Sequence, residues 1–375
     1  MEPLRCLFIV QGEGRGHLTQ ALALRAHLRA AGHAVAGVLV GRPPHRTIPS
    51  FFLEKIDAPV TTFESPTFAL DARNRGVRVG PTLWHNVSRA AAFRAAFRRI
   101  DEAVRRWRPD VLINFFDPLA GLYARRFRPA APMVCIGHQY LFHHPEYVFP
   151  PGHAVQRRLL RHYVDLTAAG AARRLALSFH PAPDLPEKNL AVMPPLLRPE
   201  VFRQPLDRSE PFFLIYMLNS GYAESVIRLH ERRKDVRLHC FWDRADAPDV
   251  LAYDDALTFH RLDDEKFLSM MARCRGLACT AGFESVCEAL YLGKPVLVSP
   301  VEGHFEQQCN AREAEACGAG RVGPLFDLDR LLDAPTPRRE ASPHFRAWVR
   351  GAGERFVREI EAVARRRPAR AFVAA

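Results

Sequence analysis

The sequence lacks any apolar run near the about 18–20 residues that a membrane-spanning helix needs. Its first apolar stretch, residues 6–10, is too short for a signal peptide and leads directly into a glycine loop, so we expect no secretory leader. None of the eight cysteines belongs to a CxxC pair. This pattern excludes a disulfide scaffold and predicts reduced thiols in a cytoplasmic protein. His, Cys and Glu also lack metal-ligand spacing, so we predict no metal and no cofactor.

Acidic residues are scarce in the first half of the chain. Residues 1–174 contain 25 Lys and Arg against 12 Asp and Glu, whereas the remaining residues contain 28 against 29. The positive excess suggests that the first half faces an anionic partner, such as lipid headgroups, a phosphorylated molecule or nucleic acid. Arginine on solvated surfaces explains the asymmetry equally well. Since no nucleic-acid-binding module is recognisable, we predict no nucleic-acid partner.

The length of 375 residues and the order of the predicted elements favour two α/β domains. A strand at 6–10, a helix at 17–31 and a strand at 34–40 begin a parallel sheet. Proline-rich residues 193–211 then predict a linker, after which strands and helices alternate again. We therefore predict Rossmann-like domains at 1–195 and 196–342, followed by a C-terminal helical segment at 343–375.

The second domain contains the most specific motif, Thr280-Ala-Gly-Phe-Glu-Ser-Val-Cys-Glu288, which continues to Gly293-Lys-Pro295 and then to His304-Phe-Glu-Gln-Gln-Cys-Asn310. A strand is predicted to end at Thr280, and a helix to begin near residue 284. A helix N-terminus after a glycine turn presents free N–H groups to a diphosphate. Glu288 lies one turn further on, where a carboxylate can accept hydrogen bonds from ribose hydroxyls.

This motif resembles the donor-binding region of the GT-B glycosyltransferases. It is most similar to the bacterial peptidoglycan N-acetylglucosaminyltransferase family (family 28) and to the UDP-glycosyltransferases. The matching positions are Gly282, Ser285, Glu288, Gly293, Pro295, Glu306, Gln307, Asn310 and Ala311.

The resemblance implies phosphate contacts at Ser285, ribose contacts at Glu288, and sugar contacts at Glu306 and Gln307. Thr280 replaces the His of the plant enzymes, which favours the bacterial branch, and His304 is a candidate for part of that role.

Two shorter segments of the second domain fit the same resemblance. Ser220 belongs to a Gly/Ser loop that related enzymes place near the diphosphate, although a simple strand-to-helix turn is equally consistent. Leu262 matches the turn whose backbone meets uracil in the bacterial enzymes. Asp327-Leu-Asp329 has the spelling of a metal motif from the other major glycosyltransferase fold, but it lies far from the donor segment and is attributed to chance.

The glycine loop Gly12-Glu-Gly-Arg-Gly-His17 follows the first predicted strand, and its spacing does not fit a dinucleotide fingerprint. It resembles the first loop of the same families, which implies that Gly14 and Gly16 lie on the acceptor side and that His17 is the general base. Asp117, at the end of a later strand, is expected to orient His17. As a helix cap, Asp117 would have only a structural role. His138 and Gln139 are candidates for acceptor contacts, or for buried polar residues that hold loops.

Together these features predict a UDP-sugar-dependent, metal-independent, inverting hexosyltransferase with an acceptor of unknown identity. The C-terminal helix is expected to pack back on the first domain, as in related enzymes. Two alternatives remain: a UDP-sugar 2-epimerase of the same fold, and a non-catalytic nucleotide-sugar-binding subunit. Basic helices at 86–107 and 343–366 suggest a peripheral contact with anionic lipid at the inner face of the cell membrane. Packing on the sheet with arginine outward is the commoner role of such helices.

Overall fold

The computed structural model describes most of the chain. The described residues are 2–43, 46–66, 89–206, 208–217, 220–244, 246–324, 327, 329–330 and 341–366, without the side chains of Ala90 and Ser220.

The first half forms a parallel sheet of seven strands in the order β3-β2-β1-β4-β5-β6-β7. Its central strands are continuous apolar runs, since helices cover both faces of the sheet. The strands are β1 (Arg5–Gln11), β2 (Ala34–Arg42), β3 (Val60–Glu64), β4 (Val111–Phe115), β5 (Met133–Gly137), β6 (Arg173–Leu177) and β7 (Leu190–Met193).

The second half forms another seven-stranded sheet, in the order β10-β11-β9-β8-β12-β13-β14. Its strands are parallel except β10, which pairs antiparallel with β11 at the edge. The strands are β8 (Phe213–Met217), β9 (Leu238–Trp242), β10 (Val250–Ala252), β11 (Leu257–Arg261), β12 (Gly276–Cys279), β13 (Val296–Val298) and β14 (Gly320–Val322). The predicted boundary between residues 195 and 196 lies between β7 and β8.

Helices connect most of these strands, and two more follow the last strand. They are α1 (Gly16–Ala30), α2 (Ser50–Ile56), α3 (Ala90–Trp107), α4 (Pro118–Phe127), α5 (Ala154–Thr167), α6 (Ala223–Arg232), α7 (Asp264–Arg273), α8 (Phe283–Tyr291), α9 (Phe305–Ala316), α10 (Ala341–Val349) and α11 (Ala352–Arg365). The helix predicted at 86–107 begins here at Ala90, and residues 86–88 lie outside the described chain. Asp263 caps α7 by accepting hydrogen bonds from the N–H groups of Glu265 and Lys266.

The C-terminal segment is two helices, which corrects the single helix predicted at 343–366. Gly351 separates them at φ 79°, a left-handed conformation that glycine adopts readily. Helix α10 packs against α8 of the second half, whereas α11 packs against α1 of the first half. The His33 imidazole lies 3.1 Å from the Glu361 carboxylate, and Arg173 is bonded to Glu359, so α11 is tied to the first sheet by polar as well as apolar contacts.

The polypeptide therefore crosses between the halves twice, first in the proline-rich segment after β7 and again between α10 and α11. The proline-rich segment is partly buried, with Leu196 and Leu197 in the same core cluster as residues of both sheets. Tyr291 at the end of α8 contacts the first crossing and α10, the helix that leads into the second crossing. Its ring packs against Phe202 at 5.1 Å between centroids, and its carbonyl accepts a hydrogen bond from Arg346 at 2.6 Å.

All eight cysteines are free thiols, and seven of them are buried. Among the described residues, no helix has both the length and the apolar character required to cross a bilayer.

Candidate active site

Two helix N-termini meet where the halves of the molecule face each other. Helix α1 follows β1 through the glycine loop, and α8 follows β12 through residues 280–282. A Cβ atom on Gly16 would lie only 3.3 Å from the Glu284 Cγ, so the first turns of the two helices are in contact. Within the described chain, neither Arg15 nor Gly282 caps its helix with a side-chain hydrogen bond. The contact therefore brings two positive helix ends together, which suits an anionic ligand.

His17, in the first turn of α1, is held by a hydrogen bond and a ring contact. Its Nδ1 lies 3.1 Å from the Gln20 Oε1, and its ring stacks on Phe116 with 5.6 Å between centroids. Burial lowers the pKa of His17 below 6.5, against the opposing effects of the Gln20 bond and the Glu306 charge. The imidazole is therefore predominantly neutral at pH 7.

Gln20 connects His17 to the second half of the molecule. Its Nε2 donates to the Glu284 Oε1 at 2.6 Å. The other carboxyl oxygen of Glu284 is buried and has no hydrogen-bond partner among the described residues. Burial raises the pKa of Glu284 to about 8, with a further increase from Glu288 and a decrease from the Gln20 bond. Glu284 is thus mostly protonated at neutral pH.

The expected pair of Asp117 with His17 does not form, and this corrects the sequence prediction. One carboxyl oxygen of Asp117 caps α4 by accepting from the N–H groups of Leu119 and Ala120, and the other accepts from the Ser65 hydroxyl at 2.6 Å. The His17 nitrogen predicted to face Asp117 faces Gln20 instead. Asp117 therefore has the structural role that a residue before Pro118 can take. Burial raises the pKa of Asp117 to about 6.

Gly282, Ser285 and Glu288 lie on the first two turns of α8. Gly282 is the N-cap residue, and an added Cβ there would meet only ordinary contacts, so packing does not require glycine. The Ser285 hydroxyl lies 3.4 Å from the Gly282 carbonyl, beside the free N–H groups. The Glu288 carboxylate forms a two-point ion pair with Arg198, at 2.6 and 2.9 Å. The predicted ribose-binding residue is thus held by an arginine of the first crossing.

The predicted sugar-binding residues lie at the start of α9. His304 is its N-cap residue, and its Nδ1 accepts from the Gln307 N–H at 3.4 Å. The Glu306 carboxylate accepts from the Gln139 amide of the first half at 2.9 Å. The Gln307 side chain accepts from the Val301 N–H and so fixes the loop before the helix.

His138 and Gln139 both face α9, which places them at the contact between the halves. The His138 Nδ1 donates to the Leu177 carbonyl at 2.8 Å, while its Nε2 lies 3.1 Å from a Glu313 oxygen. Burial opposes the charged form, but Glu313 raises the pKa of His138 above 6.5 overall. The ring also stacks on Phe283 at 4.0 Å. These contacts match the alternative role of buried polar residues, because they hold the two halves together.

The remaining predicted positions surround the helix ends. Gly14 lies in the loop before α1 with open space at its Cα, and Thr280 follows β12 with its carbonyl accepting from the Gly282 N–H. Leu262 follows β11 and packs against the core. Ser220 begins a short 3-10 turn after β8, and its side chain lies outside the described part. Leu328, the middle residue of the Asp327-Leu-Asp329 motif, also lies outside the described residues. No metal-binding group of three or more His, Cys, Asp or Glu occurs among the described residues.

Sequence reasoning missed four residues of the site: Gln20, Phe116, Arg198 and Glu284. Gln20 lies one helical turn after His17, so its spacing was a usable signal. Phe116 has a φ of 64°, which turns its ring from the end of β4 toward His17 and has no signature in the sequence. Arg198 and Glu284 reach the site only through the contact of the two halves.

Comparison with known proteins agrees with this architecture. A family model described as "Glycosyl transferase family 1" matches residues 4–332. An uncharacterized glycosyltransferase of Methanosarcina acetivorans is 25% identical over 338 residues, which are 85% of this chain and 83% of the relative.

Two solved glycosyltransferases are similar in structure. The calicheamicin glycosyltransferase CalG4 has a TM-score of 0.66 and 18% identity, covering 98% of this chain and 99% of its own. MurG of Acinetobacter baumannii has a TM-score of 0.54 and 17% identity, covering 96% and 99%. These similarities confirm the predicted GT-B architecture of two Rossmann-like α/β units.

Proposed function

The chain belongs to glycosyl transferase family 1, and from this premise we propose that it transfers a hexose from a UDP-sugar to an acceptor hydroxyl with inversion at the anomeric carbon. Its substrates are a nucleotide-sugar donor and an acceptor. The proposal includes uracil as the nucleobase of the donor, inversion at the anomeric carbon, and His17 as the general base. The observation that carries it is the position of His17 on the first turn of α1, next to Gly16, which contacts Glu284 on the first turn of α8.

In this mechanism His17 removes the proton of the acceptor hydroxyl. The hydroxyl oxygen attacks the anomeric carbon while the bond from that carbon to the diphosphate oxygen breaks. The proton moves to the His17 Nε2, since Nδ1 is engaged by Gln20. The electron pair of the broken bond leaves with the diphosphate, whose negative charge the α8 N–H groups stabilise. Direct displacement by one attack inverts the anomeric configuration.

The donor is placed along α8 and α9. Its diphosphate lies at Gly282 and Ser285, its ribose at Glu288, and its sugar hydroxyls at Glu306 and Gln307, with the uracil at the Leu262 backbone. Arg198 fixes the Glu288 carboxylate while each oxygen keeps a lone pair for a ribose hydroxyl. One oxygen of Glu306 accepts the Gln139 amide, and the carboxylate keeps further lone pairs for sugar hydroxyls.

A thermal-shift screen of nucleotide sugars followed by turnover of the best donor tests the proposal. A donor that binds the native state must raise the melting temperature. His17→Ala should retain that donor shift and lose turnover by about 10²–10⁴-fold, the usual contribution of a general base. His344→Ala, at an exposed position of α10, is the matched control. Unchanged turnover in His17→Ala would exclude His17 as the base.

Two alternatives are resolved by product analysis. Incubation with UDP-GlcNAc alone yields free or UDP-linked ManNAc if the protein is a 2-epimerase, and neither if it is a transferase. A non-catalytic nucleotide-sugar-binding subunit would show the donor shift, and His17→Ala would not change the activity of its complex. A product that carries the sugar on an acceptor, with the anomeric centre inverted by NMR, supports the transferase.

We also propose a peripheral location at the inner face of the cell membrane, with anionic lipid as the partner. The apolar side of α3, predicted for this role, packs inside the molecule, since Phe93 and Phe97 lie against the core. The start of α5 fits better, because Val155 and Leu159 are 69% and 52% exposed beside exposed Arg157. Sedimentation with phosphatidylglycerol vesicles but not with phosphatidylcholine vesicles is expected. Equal sedimentation with both, or Val155→Ser without effect, would contradict this surface.

A further inference from the structure

One chain of hydrogen bonds runs from the proposed base to the other half of the molecule. His17 and Gln20 lie on α1 of the first half, and Glu284 lies on α8 of the second. The distances are 3.1 Å from the His17 Nδ1 to the Gln20 Oε1, and 2.6 Å from the Gln20 Nε2 to the Glu284 Oε1. Glu284 is 9% exposed and Gln20 is 3% exposed, so water competes little with either bond.

We propose that Gln20 and Glu284 are positioning residues that fix the tautomer of His17, and that this control exists only while the two halves are in contact. The inference rests on the proposed function, since it concerns the residue proposed there as the base. Neither residue touches the substrate in this scheme.

The direction of the hydrogen bonds supports this assignment. In the observed arrangement the Gln20 Nε2 donates to the Glu284 Oε1, which accepts with the proton of the carboxyl on its other oxygen, so the nitrogen of the Gln20 amide faces α8. The amide oxygen then faces His17, and an oxygen of this kind can only accept. The His17 Nδ1 must therefore carry the hydrogen, which leaves the lone pair of the neutral ring on Nε2.

The same arrangement assists the proton transfer. When Nε2 takes the acceptor proton, the ring becomes an imidazolium and its Nδ1–H becomes a stronger donor to the Gln20 oxygen. Stacking on Phe116 fixes the plane of the ring but does not select which nitrogen carries hydrogen. The tautomer thus depends on Gln20, and the orientation of Gln20 depends on Glu284.

Contact between the halves is what completes the chain. Gln139 with Glu306 and His138 with Glu313 join the halves at α9, beside the Gln20–Glu284 bond. If the halves separate, the Gln20 amide loses its partner on α8 and can rotate by half a turn. The ring nitrogen would then face an amide N–H, which favours the opposite tautomer and removes the lone pair from Nε2.

The test combines kinetics with a direct measurement of the tautomer. The variants are Gln20→Leu, Glu284→Leu and Glu284→Gln, with Glu54→Leu, at an exposed glutamate of α2, as the matched control. ¹⁵N-histidine labelling and comparison with His17→Ala identify the two ring signals of His17. The wild type is expected to show a protonated Nδ1 and an unprotonated Nε2 at neutral pH.

Gln20→Leu and Glu284→Leu should each lower kcat at least tenfold, change the donor KM less than threefold, and average the two ring signals. Glu284→Gln should restore both the tautomer and most of kcat, because its amide oxygen still accepts from Gln20. A residue with only a packing role would not produce this pattern in the ring signals.

The inference is overturned if Gln20→Leu leaves the His17 tautomer and kcat as in the wild type, or if Glu284→Gln fails to restore what Glu284→Leu loses. Its failure differs from that of the proposed function. If His17→Ala abolishes turnover while Gln20→Leu does not, only the inference fails. If no variant at His17 affects turnover, the proposed function fails, and the tautomer measurement still reports on the hydrogen-bond chain.

Discussion

Glu284→Gln is expected to make the protein more stable at neutral pH, by an amount that increases with pH. Burial raises the pKa of Glu284 from 4.5 to about 8. Between these values the folded protein keeps a proton that the unfolded chain releases. Because the native state binds more protons there, its stability falls as the pH rises. Glutamine resembles the protonated carboxyl and does not titrate, so the variant avoids this loss.

The magnitude follows from the two pKa values. At 1.36 kcal/mol per pKa unit, the wild type loses about 3 kcal/mol relative to Glu284→Gln between pH 4 and pH 7. The difference reaches about 5 kcal/mol above pH 9, where both states are ionised. For a chain of this length, about 3 kcal/mol corresponds to a change in Tm of about 4 °C. The sign is the reverse of that for a carboxylate in a salt bridge.

Thermal and urea unfolding of the wild type and the variant at several pH values between 4.5 and 9 provide the assay. The same substitution at Glu54, exposed on α2, is the control for the loss of a carboxylate and should not reproduce the pH-dependent difference. The reasoning is refuted if the difference between wild type and Glu284→Gln is constant across this range. A wild type that gains stability with pH relative to the variant would refute it more strongly, since it would require an ionised, partnered Glu284.

Three further predictions concern residues near the contact of the halves. Because burial lowers the pKa of His17 below 6.5 and the base must be neutral, kcat/KM should decline only below pH 6.5, and a decline centred above 7 would exclude this assignment. Asp117→Ala should lower the free energy of unfolding by about 2 kcal/mol, because it removes the helix cap and the bond to Ser65. It should lower kcat much less than His17→Ala does. Equal losses of kcat would show that Asp117 takes part in catalysis. Arg198→Leu leaves the Glu288 carboxylate buried without its partner and should lower the free energy of unfolding, measured in urea, by about 3–5 kcal/mol. A decrease below about 1 kcal/mol would contradict a buried ion pair of Arg198 with Glu288.

The interior of the fold was predictable because its signal is local. The strands predicted at 6–10 and 34–40 lie within β1 and β2, since each is a short apolar run between breakers. The edge strands β3, β10 and β14 were not predicted. Strand β10 is an apolar triplet, Val250–Ala252, which is too short to predict a strand. Strand β14 contains glycine and arginine beside a single valine.

For the site, sequence reasoning found positions better than partners. It placed His17 and Ser285 at helix starts after strand ends, where the structure has them. It chose Asp117 as the partner of His17, because an acidic residue at a strand end is what the resemblance implied. The structure gives that place to Gln20, and the reason lies in Glu284, which is 264 residues away in the chain. A contact of that separation depends on how two sheets are docked, which no local pattern encodes.

The double crossing of the chain has a mechanical consequence. The first crossing and α10, which leads into the second crossing, both contact Tyr291, so the two connections between the halves lie close together. Two neighbouring connections favour a hinge motion over sliding, and an opening of the halves would break the bond between Gln139 and Glu306. A chain that ended before α11 would keep only the first connection. The relative position of the halves would then be less constrained, and the bond between Gln20 and Glu284 would form less reproducibly.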